Sequence, residues 1–215
     1  MPNDPFHDFV RQRQISQLVM KRLAEHVYDR PLINNVERAD YVQCLVELVM
    51  RSTDPRWRLT ESWDSWNIEH PESGARLEVK QSSALQSWRG ASDNSSPRFS
   101  IPPSDGYWRQ CPEGQFHTLS TEKQRHADVY VFAWHGETDH AFADHRNVSQ
   151  WQFFVVPEHE LPPNQQSIGL NPLRRLVDPH DYSALATKVT GALPDPDRFK
   201  AKTEIPPGVC PECST

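Results

Sequence analysis

Within this 215-residue chain, Asp64, Glu78 and Lys80 have types and spacing suited to one chemistry. Glu78 and Lys80 flank Val79 in the run Ala-Arg-Leu-Glu-Val-Lys-Gln-Ser-Ser at 75–83, and thirteen residues separate Asp64 from Glu78. Two carboxylates meeting at a sheet end form a hard oxygen site for Mg²⁺, which takes one or two carboxylates together with waters and phosphate oxygens. An ammonium beside them stabilises a phosphate oxyanion or orients an attacking water. Such a grouping suits phosphodiester hydrolysis.

A strand and a hairpin must position these groups. Leu77 and Val79 alternate with Glu78 and Lys80, so a pleated strand turns one apolar and one charged face. Strands favour β-branched and aromatic residues, which makes a Glu-x-Lys pair on a face read as solvated a candidate for function. Residues 64–69 are predicted to pair with 76–81 through the turn-rich link His70-Pro-Glu-Ser-Gly74. Facing residue numbers then sum to about 145, bringing Asp64 beside Lys80 and a couple of residues from Glu78. Strand parity raises a conflict. Asp64 alternates in phase with Trp66 and Ile68, so it points into the core unless a β-bulge lies near Ser65 or the strand begins after Asp64.

The combination resembles the PD-(D/E)XK nuclease superfamily, which includes type II restriction endonucleases and Holliday-junction resolvases. The resemblance spans about residues 35–156 and rests on Asp64, the spacing to Glu78-Val79-Lys80, Gln81 directly after it, and the order of elements. Trp63 stands where the superfamily's name residue is Pro. The resemblance implies a mixed α/β fold with a restriction-endonuclease-like core, a central mixed sheet flanked by helices. It implies Mg²⁺ or Mn²⁺ held by Asp64, Glu78 and the Val79 carbonyl. Lys80 would assist the nucleophilic water, Gln81 would belong to the catalytic set, and Glu47 sits where many members add a carboxylate from the preceding helix. The implied activity is endonucleolytic cleavage of DNA, with a homodimer as the arrangement that cuts both strands. The alternative is a catalytically inactive nuclease-like binding or accessory module. On residue pattern alone, Glu78 and Lys80 also read as an ion pair on a solvated face. Asp40, Gln43, Glu47 and Arg51 also read as the polar stripe of a helix.

The apolar spacing predicts helices over 9–28 and 35–51, strand-like pieces at 57–61, 64–69 and 76–81, and a short helix at 119–126. Val129-Tyr-Val-Phe-Ala-Trp134 is apolar at every position, as in a strand covered on both faces, and 150–156 follows as another strand. A closing helix is expected over 181–192. One nuclease-like domain over 1–193 is expected, with a long insertion at about 87–118 and a Pro-rich extended or disordered tail from 194 to 215. That insertion interleaves Trp88, Arg89, Arg98, Phe99, Tyr107, Trp108 and Arg109, types that stack on bases and contact phosphates, or else pack back on the core. Ser82, Ser83 and Gln86 follow the charged strand as further polar candidates.

Composition narrows the partners. Twenty-three basic residues against twenty-nine acidic ones give a net charge of −6, which disfavours a general polyanion-binding surface while leaving room for a local groove. The start, Met-Pro-Asn-Asp-Pro, does not read as a signal peptide, and no apolar run reaches the ~18–20 residues of a membrane span, so a soluble cytoplasmic protein is expected. His135, Asp139-His140 and Asp144-His145 raise a transition-metal reading that a polar hairpin loop satisfies more simply. Cys210-Pro-Glu-Cys213 has half of a zinc-ribbon spacing, with Cys44 and Cys111 poorly placed to complete it.

Overall fold

A computed structural model describes residues 5–60, 64–88, 97–111 and 114–195. Two helices come first, α1 (Pro5–Tyr28) and α2 (Asn35–Arg51), then strands β1 (Arg58–Leu59), β2 (Ile68–His70) and β3 (Ala75–Ser83). Strands β4 (Arg98–Ser100), β5 (Ser104–Cys111) and β6 (Gly114–Gln124) precede β7 (Val129–His135) and β8 (Trp151–Pro157). The chain continues through β9 (Ser167–Gly169), α3 (Leu170–Leu176) and α4 (Tyr182–Ala192). The fold is mixed α/β. Its centre is a five-stranded sheet in the order β1-β2-β3-β7-β8, antiparallel except where β3 and β7 run parallel. Parallel neighbours need a long crossover, and β4, β5 and β6 lie within this one.

The sheet is covered on both sides. Leu77 and Val79 join Val42, Val46 and Met50 of α2 and Leu185 and Val189 of α4 in one core. Tyr130, Phe132 and Phe154 on the opposite face meet Phe99 of β4, Ile168 of β9, and Leu170 and Leu173 of α3 in a second. All seven residues of β7 are buried, as its unbroken apolar run requires.

Several expectations need correction. The hairpin register is as predicted, Ile68 facing Leu77, but β2 holds only three residues and Asp64 lies in a bend before it. Asn67 causes this. Its N–H donates to Leu77 O at 3.0 Å and its Oδ1 accepts from Val79 N at 2.7 Å, so a side chain takes over where the ladder would continue. Upstream, Ser65 turns to β5, its N–H donating to Trp108 O at 3.1 Å and its Oγ accepting from Trp108 N at 2.9 Å. Trp66 consequently packs in the second core, on the opposite sheet face from Ile68, and the parity conflict at Asp64 disappears.

The described residues of the insertion at 87–118 form strands. They contribute β4 and the hairpin of β5 with β6, and β6 runs to Gln124 where a helix at 119–126 was expected. Cross-strand pairing, such as Trp108 stacked on His117 with ring centroids 4.4 Å apart, overrides the helix propensity of Glu-Lys-Gln. α1 leaves Ile15, Leu18, Val19 and Leu23 exposed along one stripe. Among the described residues no helix is long and apolar enough to cross a membrane. Residues 196–215, with Cys210 and Cys213, lie outside the described residues, as do Trp63 and Arg89.

Candidate active site

Glu78 and Lys80 project from β3 to the same face, but that face is not open to water. The layer built from β4, β9 and α3 covers it, leaving Glu78 9 % exposed and Lys80 partly exposed. The two form an ion pair along the strand. Burial pushes the Glu78 carboxyl above the usual carboxylate range, and the Lys80 ammonium opposes that shift. Burial, with the Glu78 charge added, also raises the Tyr130 phenol on neighbouring β7.

Gln81 points the other way and joins β3 to the start of α2. Its Oε1 accepts from Arg38 Nε at 2.7 Å, and its Nε2 donates to Asn35 Oδ1 at 2.9 Å and Asn35 O at 3.1 Å. Arg38 Nη2 donates to Asn35 Oδ1 at 2.8 Å and to Gln86 Oε1 at 3.1 Å. The guanidinium is 1 % exposed and Nη1 has no hydrogen-bond partner. Burial alone pushes its pKa down to about 10.

Two cavities open beside these groups. The first, about 420 Å³, is lined by Arg38, Lys80, Gln81, Ser82, Gln86, Arg98 and the exposed Trp88, and among the described residues no carboxylate lines it. The second, about 350 Å³, is lined by Asp40, Asp64, Cys44, Leu59 and Thr60, with no described cation. Gln43 and Asn67 line both. A cationic and an acidic cavity therefore share a wall.

The expected carboxylates are dispersed. Asp64 fronts the acidic cavity, while Glu78 lines neither cavity. Glu47 is buried on α2, lines neither cavity, and accepts from Arg51 Nη1 at 3.1 Å, one helical turn on. Among the described residues no three of His, Cys, Asp and Glu gather as a metal-holding set, so Asp64, Glu78 and Glu47 do not make one triad. The donor chemistry of the acidic cavity still suits Mg²⁺, which needs one or two carboxylates and fills its remaining positions with water or neutral oxygens. Asp64 and Asp40 offer the carboxylates, and Thr60, Gln43 and Asn67 line the same space.

Asp40 and Gln43 read as part of a solvated stripe, and burial of the opposite face leaves them at the cavity mouths. Arg38 carried a legible signal, since it shares the i, i+4, i+8 spacing of Val42 and Val46 and so belongs to the buried face of α2. Of the aromatic and arginine residues of 87–118, Phe99 is buried against Phe132, and Tyr107 lies near Trp66 at 5.6 Å. Arg109 pairs with Glu69 at 3.6 Å, while Trp88 and Trp108 stay exposed.

In the histidine-rich link between β7 and β8, Asp139 and His140 stay exposed on the polar loop, while His135 and His145 are buried in a hydrogen-bonded cluster. His145 Nδ1 accepts from Ile33 N at 2.9 Å, so its Nε2 carries the proton that Ser83 Oγ accepts at 2.9 Å. His135 Nε2 lies 2.9 Å from Gln150 Oε1 and 3.2 Å from Asp144 O, two acceptors that place its proton there. No family model, curated protein or solved structure matches the chain.

Proposed function

We propose that this protein is a metal-dependent phosphodiesterase acting on DNA, built on a restriction-endonuclease-like core. One observation carries the reading. A cavity lined by Arg38, Lys80 and Arg98 without a described carboxylate shares the Gln43–Asn67 wall with a cavity lined by Asp40 and Asp64 without a described cation. A phosphodiester needs both halves, positive charge at its oxygens and carboxylates that hold a divalent ion beside them.

In this reading Asp64, with Asp40 across the same cavity, supplies the metal-facing carboxylates. The resemblance would add Glu78 and the Val79 carbonyl from the hairpin side, a place Glu78 reaches only by leaving its pair with Lys80. Mg²⁺ or Mn²⁺ bound there would lower the pKa of a water and neutralise charge developing on the phosphoryl oxygens. Lys80, on the wall of the cationic cavity, would orient the water and donate to a phosphate oxygen. Asn67, bonded through Oδ1 to Val79 N, keeps the two sides in register. Gln81 acts on position, by fixing β3 to α2 through Arg38. Glu47, already paired with Arg51, contributes to the helix and not to the metal.

A second reading is a nuclease-like binding module without catalysis. It is favoured by the burial of Glu78 in its pair with Lys80 and by the lack of a three-carboxylate set among the described residues. Plasmid and oligonucleotide cleavage with Mg²⁺ or Mn²⁺, alongside calorimetry of the metal alone, separates the two. Hydrolysis requires metal-dependent cleavage that Asp64→Asn and Lys80→Met each reduce by at least about a hundredfold while the far-ultraviolet spectrum is unchanged. Metal binding absent by calorimetry, with no cleavage of any DNA, leaves the binding module.

A further inference from the structure

The cationic cavity holds a charge that the protein does not compensate. Arg38 is almost wholly buried, yet its acceptors are the neutral amides of Gln81, Asn35 and Gln86, and Nη1 has none. Buried guanidinium groups are ordinarily paired with carboxylates, because an uncompensated charge in a low dielectric is costly. The depressed guanidinium pKa reflects the same desolvation. In a chain of net charge −6, a cavity lined by Arg38, Arg98 and Lys80, of which Lys80 alone has a carboxylate partner in Glu78, and with no described carboxylate in its lining, is a local reversal of sign. An anion is its complement.

Two features narrow the anion. Trp88 stands at the cavity wall 60 % exposed, a large apolar surface that the described residues leave uncovered. The volume, about 420 Å³, lies toward the small end of the ~300–1,000 Å³ typical of small-molecule sites and suits a single nucleotide far better than a duplex. Resting on the nucleic-acid reading above, we infer that this cavity takes one unpaired nucleotide of a DNA strand, its phosphate toward Lys80 and Arg98, over the buried charge of Arg38, and its base against Trp88. A paired base cannot reach an indole face without leaving its stack, so the substrate class is single-stranded, frayed or flipped DNA. The phosphate charge offsets the buried guanidinium that the neutral amides leave uncompensated.

The test uses the full chain in EDTA, without divalent metal, titrated with thymidine 5′-monophosphate, thymidine and inorganic phosphate. The expected order is nucleotide tightest, phosphate weaker and thymidine weakest, with tryptophan fluorescence quenched by the nucleotide. Trp88→Ala should weaken the nucleotide roughly tenfold and leave inorganic phosphate unchanged. Arg98→Gln should weaken both and flatten the salt dependence. Arg38→Met should weaken both further, and the two exposed variants keep the test decisive if that substitution unfolds the chain. Thymidine binding as tightly as its monophosphate, or nucleotide binding unchanged in both Trp88→Ala and Arg98→Gln, overturns the inference. Metal-dependent cleavage of DNA without nucleotide preference over phosphate overturns this subsite and leaves the hydrolytic reading standing. Trp88-dependent nucleotide binding without any cleavage supports the subsite and removes the hydrolysis.

Discussion

Arg38 Nε donates to Gln81 Oε1 across 2.7 Å, and this bond ties the first turns of α2 to the strand that carries Glu78 and Lys80. Asn35 and Gln86 complete the same network, so the walls of the cationic cavity are held by one guanidinium. Helix and strand are otherwise joined here mainly by apolar contact through Val42, Val46, Leu77 and Val79. The polar network sets where the helix start lies relative to Lys80.

Arg38→Met should therefore lower stability by about 2 kcal/mol, since it removes the donor to the part-buried Gln81 Oε1 and to the buried Gln86 Oε1, although removing an unpaired buried cation offsets part of that loss. Arg98→Gln, at an exposed position, should change stability by less than about 0.5 kcal/mol. Urea unfolding of both variants checks the contrast, and equal effects would show that the network holds nothing.

Lys80→Met removes the only ion-pair partner recorded for Glu78 among the described residues. The Glu78 pKa, already raised by burial, should rise further. The folded state then holds a proton that the unfolded state releases above about pH 4.5, so the variant loses stability as pH rises and recovers as pH falls. A loss of about 2 kcal/mol at pH 8, shrinking toward pH 5, is expected by urea denaturation. Glu78→Gln in the Lys80→Met background should restore most of it. A loss independent of pH would contradict the buried-carboxylate account.

His145 gives the opposite slope. Burial first, then the charges of Arg38 and His135, pushes its pKa down to about 3, whereas an unfolded histidine titrates near 6.5. Below pH 6.5 the unfolded chain takes a proton that the folded chain refuses until about pH 3, so stability falls as pH drops through that window. His135 is lowered in the same direction, chiefly by burial. The steepest loss is about 1.4 kcal/mol per pH unit for each proton. Unfolding midpoints between pH 7.5 and 5, measured in a Glu78→Gln background to remove the raised Glu78 carboxyl, read the histidines, because the depressed carboxylates of Asp54 and Glu69 titrate lower. His145→Gln should cost stability at pH 7.5 and remove about one proton from the slope, and an unchanged slope would assign the acid sensitivity elsewhere.

Asn67→Ala deletes the acceptor of Val79 N at 2.7 Å and a residue of the wall between the cavities. A loss of about 1–2 kcal/mol is expected by thermal or urea unfolding. Asn67→Asp keeps the acceptor and should recover most of that loss. Failure of both variants to move the unfolding midpoint would show that the bend at 64–67 is fixed by Trp66 packing alone.

Leu18→Glu on the exposed stripe of α1 should leave the unfolding midpoint within about 0.5 kcal/mol, while Val46→Ala, buried between helix and sheet, should cost about 1–3 kcal/mol. Comparable losses would mean that the stripe is buried in solution.

Much of the scaffold was legible in order along the chain. The unbroken apolar run of β7, the alternation in β3 and the helical stripe of α2 are local signals, because each reports the periodicity of its own backbone. The pairing of Ile68 with Leu77 was equally legible, since a short turn leaves few registers. Three decisions lay beyond local pattern. Glu78 and Lys80 face a covered layer because β4, β9 and α3 arrive from remote parts of the chain, and no feature of β3 announces that cover. Trp66 and Asp64 left the ladder because one asparagine side chain replaced a backbone partner, a substitution that strand parity does not register. The sign separation between the two cavities exists only once α2, the bend at Asp64 and β3 lie side by side. Residue types and spacing determined which chemistry was available, because side-chain charge and backbone period are local properties. Tertiary packing decided which of those groups meet, which are desolvated and which face one another, because burial and long-range contact are properties of the assembled chain.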